Sequence, residues 1–157
     1  MTGRKSKGIV LLVTAGGAGY APRIPGTIGT VIAIPLSLGL NWIAEGSLPA
    51  ALAVLIGFIA CAIWLAGRAA DILRQKDPSV IVIDEIAGFL IANFLSPPRL
   101  GIVLAAFALF RLFDIAKIFP ASRLELIPGG PGIVLDDVAA GLYTFIVLRL
   151  AGWWSLL

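Results

Sequence analysis

The sequence contains no histidine and only one cysteine, Cys61. The missing histidine excludes a histidine nucleophile and Ser-His-Asp chemistry. The lone cysteine excludes an intrachain disulfide. It sits mid-run in an apolar stretch with six residues before Arg68, which does not make a cysteine-phosphatase loop, and it reads as a small core residue. Charge is also scarce. Nine acids and twelve bases make 13% of the chain, against roughly 25% in a soluble domain. Hydrophobic residues make 59%, and the mean hydropathy is +1.01. So little polar surface excludes an ordinary water-soluble globule. The net charge of +3 comes without a basic stripe interleaved with aromatics, so nucleic acid is excluded as a partner. No Gly-x-x-x-x-Gly-Lys-Ser/Thr segment occurs, so a P-loop nucleotide site is unsupported.

What the chain has in quantity is apolar runs. Five stand out, at about 28–43, 48–66, 80–95, 100–119 and 133–150. Each is near the roughly 17–25 residues of a membrane-crossing helix, the first and third being short. Turn chemistry separates them: Pro25-Gly26, Gly46, Asp77-Pro78, Pro97-Pro98, and the Pro128 to Gly132 run. The expected fold is all-α, an integral membrane bundle of about five helices after a short N-terminal loop segment, with residues 1–157 forming one domain. Arg4, Lys5 and Lys7 precede an apolar run too short for a signal peptide, so this basic segment reads as retained and membrane-proximal. Basic residues concentrate before the first run (with Arg23), between the second and third (Arg68, Arg74, Lys76), and around the end of the fourth (Lys117, Arg123). The positive-inside rule then puts the N-terminus in the cytoplasm and the C-terminus outside.

That topology gathers the acids. Asp84 and Glu85 open the third run, Arg111, Asp114 and Lys117 close the fourth, and Asp136 and Asp137 open the fifth, all at the cytoplasmic end. A carboxylate at bilayer depth costs roughly 2.5–3.5 kcal/mol, which makes such residues functional candidates. Helix-terminal acids favoured by the macrodipole and an Arg111–Asp114 ion pair at i,i+3 are the structural alternatives. Arg111, Asp114 and Lys117 step along one slanting stripe, an acid between two bases, as a site for both a metal and an anion would need. Gly88 and Gly141 each lie about a turn beyond an acid pair, and glycine lets helix backbones approach closely. Clustered aspartates without histidine favour a hard cation, and Mg2+ fits, holding a few carboxylates and phosphate oxygens. Without it the acids would repel and some would take up protons. The chemistry is then phosphate-ester hydrolysis or phosphoryl transfer, with water favoured over an aspartate as nucleophile. A cation-transport site is the non-enzymatic reading of the same residues. The loop from Gly16 to Thr30 offers Arg23, Thr27 and Thr30 as a phosphate cradle at a helix N-terminus; its structural alternative is a flexible entry loop with Thr27 as N-cap.

Four blocks carry a resemblance: Pro25-Gly26-Thr27-Ile28-Gly29-Thr30, Asp84-Glu85-Ile86-Ala87-Gly88, Phe110-Arg111-Leu112-Phe113-Asp114 with Lys117, and Gly132 with Asp136-Asp137 and Gly141. In order and spacing, across nearly the whole chain, they are similar to the bacterial phosphatidylglycerophosphatase A family. The resemblance implies a magnesium-dependent hydrolase that removes the terminal phosphate of phosphatidylglycerophosphate at the cytoplasmic face of the inner membrane. It implies a catalytic centre of Asp84, Asp114, Asp136 and Asp137, with Glu85, Arg111 and Lys117 close by. The four aspartates are taken as metal ligands, and Arg111, Lys117, Thr27, Arg23 and Thr30 as phosphate contacts. Two departures flank the site: Lys117-Ile118-Phe119-Pro120 stands where Lys-Pro-Trp-Pro is usual, and Pro131 replaces an aliphatic residue. The expected partners are the phospholipid substrate and the bilayer, and nothing indicates a homo-oligomer. A membrane cation transporter, a non-catalytic membrane partner and a CDP-alcohol phosphotransferase are the rival readings; the last lacks its extended aspartate motif.

Overall fold

The computed structural model describes residues 3–153, which form seven α-helices and one 3-10 turn, with no strand among the described residues. The helices are α1 (Gly3–Val13), α2 (Pro25–Gly46), α3 (Leu48–Leu73), α4 (Ile83–Ala92), α5 (Leu100–Ala116), α6 (Ala121–Leu124) and α7 (Gly130–Trp153), with the turn at Ala18–Tyr20. The N-terminal segment, expected as a loop, is therefore mostly helical. Ile9 and Val13, four residues apart on α1, bury one face of it in a cluster with Ala62, Ala66 and Ala69 of α3. Pro25 opens α2 at the first helical turn, where its missing N–H is no loss. Ser47 alone connects α2 to α3, its hydroxyl accepting from the Ala50 N–H at 3.4 Å.

Among the described residues two helices, α2 and α3, are long and apolar enough to cross a bilayer. Only 22% of the most apolar stretch of α3 is buried within the molecule. An apolar helix that hides so little of itself needs an apolar environment outside. Cys61, read from sequence as a core residue, is exposed on this same outer surface.

The third apolar run departs most from expectation. Its helix, α4, has ten residues and so spans only about 15 Å, half of the ~30 Å hydrocarbon thickness. It is the central element, packed against α7, α2, α3 and α5, and eight of its residues are buried. Phe89 meets the Phe110 ring edge-on at 6.0 Å between centroids, tying α4 to α5. The helix stops because side chains from its neighbours take over its backbone groups. Asn41 of α2 donates to the carbonyls of Asn93 (2.9 Å) and Ser96 (3.1 Å) and accepts from the Leu95 N–H (2.8 Å). Arg149 of α7 donates to the Phe94 carbonyl at 2.6 Å. Irregular backbone inside an apolar bundle is tolerated only when protein groups satisfy it in this way. Asn41→Ala would orphan one N–H and weaken two carbonyls, so it is expected to lower the unfolding free energy by about 2–4 kcal/mol. Denaturant titration in detergent micelles reads this directly; an unchanged midpoint would show that water replaces the amide.

The starts of α2, α4 and α7 and the end of α5 lie together at one end of the bundle, where a single cavity touches residues of each and of the segments that lead into α2 and α4.

Candidate active site

A cavity of about 490 Å³ occupies that end. It is lined by Arg23, Thr27, Asp84, Glu85, Arg111, Asp114, Lys117, Asp136 and Asp137, among others. Nine of the ten residues singled out from sequence therefore share one cavity. Thr30 is the exception. It is fully buried in α2, and its hydroxyl donates to the Gly26 carbonyl one turn back at 2.9 Å. Thr27 is not an N-cap either: Ile24 holds that position and Thr27 sits within the first turn.

Helix packing sets the geometry of the acids. A Cβ on Gly88 of α4 would lie 2.6 Å from the Asp137 carbonyl oxygen and 2.6 Å from the Phe110 ring, and one on Gly141 of α7 would run into the Gly88 carbonyl. The two backbones thus touch where both lack side chains. One turn before this contact on each helix stand Asp84 with Glu85, and Asp137. Each contributes a carboxylate oxygen to a group in which all such atoms lie within 4.8 Å of one another. Asp84 Oδ1 and Glu85 Oε2 are buried and have no hydrogen-bond partner among the described residues. Buried carboxylate oxygens left unpaired are costly, and a hard cation is the ligand that such a donor set fits.

The other two aspartates are engaged differently. Asp114 Oδ2 is 2.6 Å from Arg111 Nη1 across one turn of α5. The pair is close but not aligned as a hydrogen bond, and Nη1 counts among the buried polar atoms without a partner. Asp136 Oδ2 accepts from Lys117 Nζ at 2.9 Å, while its Oδ1 is buried and unpaired among the described residues. Lys117 also donates to Glu125, which lies just beyond α6. The sequence-based set of metal ligands is Asp84, Asp114, Asp136 and Asp137. The geometry groups Asp84, Glu85 and Asp137, and pairs Asp114 and Asp136 with cations.

On the opposite wall Gly26 meets the acids. A Cβ there would collide with Glu85 Oε1 and come within 3.0 Å of Arg111 Nη1, so a side chain at this position would have to displace the ends of both. Arg23, just before α2, has a left-handed φ of 74°, a strained state for a residue with a side chain. Sequence reasoning missed Glu125 and Asp77. Both belong to connecting segments whose pattern carries no periodic signal, and Asp77 read only as part of a turn.

The sequence profile of the phosphatidylglycerophosphatase A family matches residues 11–152. The chain belongs to that family. Two relatives named phosphatidylglycerophosphatase A are alike along most of their length. The Escherichia coli protein is 32% identical over 90% of this chain and 82% of its own, and the Haemophilus influenzae protein 35% identical over 94% and 91%. A Bacteroides thetaiotaomicron protein, provisionally named a phosphatidylinositol-3-phosphatase, is 37% identical over 92% of this chain and 93% of its own. No solved structure matches at a significant level. Phosphatidylglycerophosphatase A membership makes this protein a phosphatase, and the transporter, non-catalytic and CDP-alcohol phosphotransferase readings fall away.

Proposed function

We propose that the enzyme hydrolyses the terminal phosphate monoester of phosphatidylglycerophosphate to phosphatidylglycerol and inorganic phosphate, with magnesium held by Asp84, Glu85 and Asp137. The observation that carries this reading is the convergence of those three carboxylates, two of their oxygens buried and unpaired, beside Arg111. When bound, magnesium supplies charge to polarise a phosphoryl oxygen. The protein's own groups do the rest. Arg111, its Nη1 unaligned on Asp114, turns toward the phosphoryl oxygens and stabilises charge there. Lys117 holds Asp136 in place, and Asp136, which borders the cavity, is the acceptor for a proton of the attacking water. Water adds to phosphorus, the bond to the glycerol oxygen breaks, and that oxygen takes up a proton. The first turn of α2, with Thr27, directs free N–H groups toward the anion.

The cavity end is also the basic end of the bundle, with Arg23, Lys76, Lys117 and Arg123 near it and Glu45, Arg99 and Arg149 toward the other. Five apolar segments embedded in the bacterial inner membrane, with the cavity at the cytoplasmic surface, is the arrangement this asymmetry supports.

Purified enzyme in mixed micelles is expected to release phosphate from phosphatidylglycerophosphate faster than from phosphatidic acid or phosphatidylinositol 3-phosphate. Chelation should remove the activity and added magnesium should restore it. Full activity in excess chelator would discard the metal assignment, and preference for the inositol lipid would move the substrate to that named for the Bacteroides relative.

A further inference from the structure

The cavity is not lined by polar groups alone. Ile24, immediately before α2, and Ile115, in the last turn of α5, also border it, and both are largely exposed at 53% and 73%. Leu112, one turn before Ile115, is 59% exposed. The helix that Ile24 leads into, α2, and the helix that carries Leu112 and Ile115, α5, both pack on α4 yet barely meet each other. A seam between α2 and α5 therefore runs from the acid-lined cavity to the apolar outside of the bundle. Its floor is the Gly26 to Arg111 approach, and Arg23 stands beside Ile24 at the cavity edge.

We infer that this seam is the lateral portal through which the lipid substrate engages, its acyl chains lying against Ile24, Leu112 and Ile115 outside the bundle. The inference rests on the lipid-phosphatase reading above and deepens it. Charge complementarity fixes the orientation. The substrate class is a lipid with two phosphates, a diester next to the acyl chains and a terminal monoester beyond it. Chains held at the seam bring the diester to Arg23 at the cavity edge, while the monoester reaches Arg111 and the carboxylates deeper in. The apolar positions lie outside and the acidic ones inside, which is the order of the lipid itself.

The test compares dioleoyl with dibutanoyl phosphatidylglycerophosphate in mixed micelles of the full-length enzyme. The wild type is expected to prefer the long-chain form in kcat/KM by about tenfold or more, because its extra methylenes find apolar surface. Ile24→Trp and Ile115→Trp, both at exposed positions, should narrow that preference to about twofold by filling the seam. Ile56→Trp, on the outer surface of α3 at 64% exposure, should retain it. Retention of the preference by both seam variants, or equal loss of it in Ile56→Trp, overturns the portal. A wild-type enzyme that dephosphorylates neither lipid overturns the functional reading instead.

Discussion

Asparagine in place of Asp84 is expected to lower phosphate release by about three orders of magnitude or more, with the helical fold intact. The side chain keeps its size, so α4 remains packed among its four neighbours. What changes is charge. Asp84 Oδ1 is buried without a hydrogen-bond partner among the described residues and shares a group of carboxylates with Glu85 and Asp137. Carboxyl groups so close and so shielded from water must repel or take up protons when no cation is present, and either opposes folding at neutral pH. The variant should therefore be at least as heat-stable as the wild type in chelator. In magnesium the order should reverse. A ligand at one hundred times its dissociation constant stabilises the native state by about 2.7 kcal/mol, a gain the variant should largely lose. Asp136→Asn separates the roles. Its carboxylate is paired with Lys117 rather than grouped with the other three, so its activity should fall while magnesium still raises its melting temperature. Phosphate release and thermal unfolding, each with magnesium and with chelator, give both readouts. If Asp84→Asn kept activity within about tenfold of wild type, the group would not be the catalytic metal centre.

Much of this site was legible before the structure because membrane chemistry makes charge conspicuous. Asp84, Glu85, Arg111, Asp114, Lys117, Asp136 and Asp137 stood out as isolated charges in or beside apolar runs, and the positive-inside rule put them at one end. Their division of labour was not legible. Separating the Asp84, Glu85 and Asp137 group from the two ion pairs depends on rotation about helix axes, which spacing leaves open for acids adjacent in sequence. Glu125 was invisible for a related reason: it reaches Lys117 through the chain reversal at α6, a four-residue helix without periodicity to read. Thr30 misled because the start of α2 carries two threonines. They are three residues apart, but one faces the cavity and the other bonds to its own backbone. The third apolar run misled in length. Hydropathy counts apolar residues whether or not they are helical, and only the side chains of Asn41 and Arg149, distant in sequence, reveal where α4 ends.

Glycine substitution at the α4–α7 crossing should show how tightly the fold and the site are joined. On propensity alone Gly88→Ala would stabilise a helix by about 1 kcal/mol. The new methyl, however, would sit 2.6 Å from the Asp137 carbonyl oxygen and 2.6 Å from the Phe110 ring. Phe110 is fully buried and the carbonyl belongs to a helix, so neither yields cheaply. Overpacking of this kind costs about 1–3 kcal/mol, and more where backbone must move. The clash outweighs the propensity gain, and Gly88→Ala should be destabilised by at least about 1 kcal/mol, with Gly88→Val worse. Gly57 on α3 supplies the comparison: it is exposed, and a methyl there meets nothing within 4 Å. Gly57→Ala should be neutral or slightly stabilising. The more informative effect is on activity. Any separation of α4 from α7 also separates Asp84 and Glu85 from Asp137, since each stands one turn from the crossing on its own helix. Gly88→Ala should thus lose phosphate release and magnesium-dependent stabilisation together, even at temperatures where it remains folded. Loss of stability with both of these preserved would mean that the carboxylates adjust independently of the crossing, and the close backbone contact would then serve packing alone.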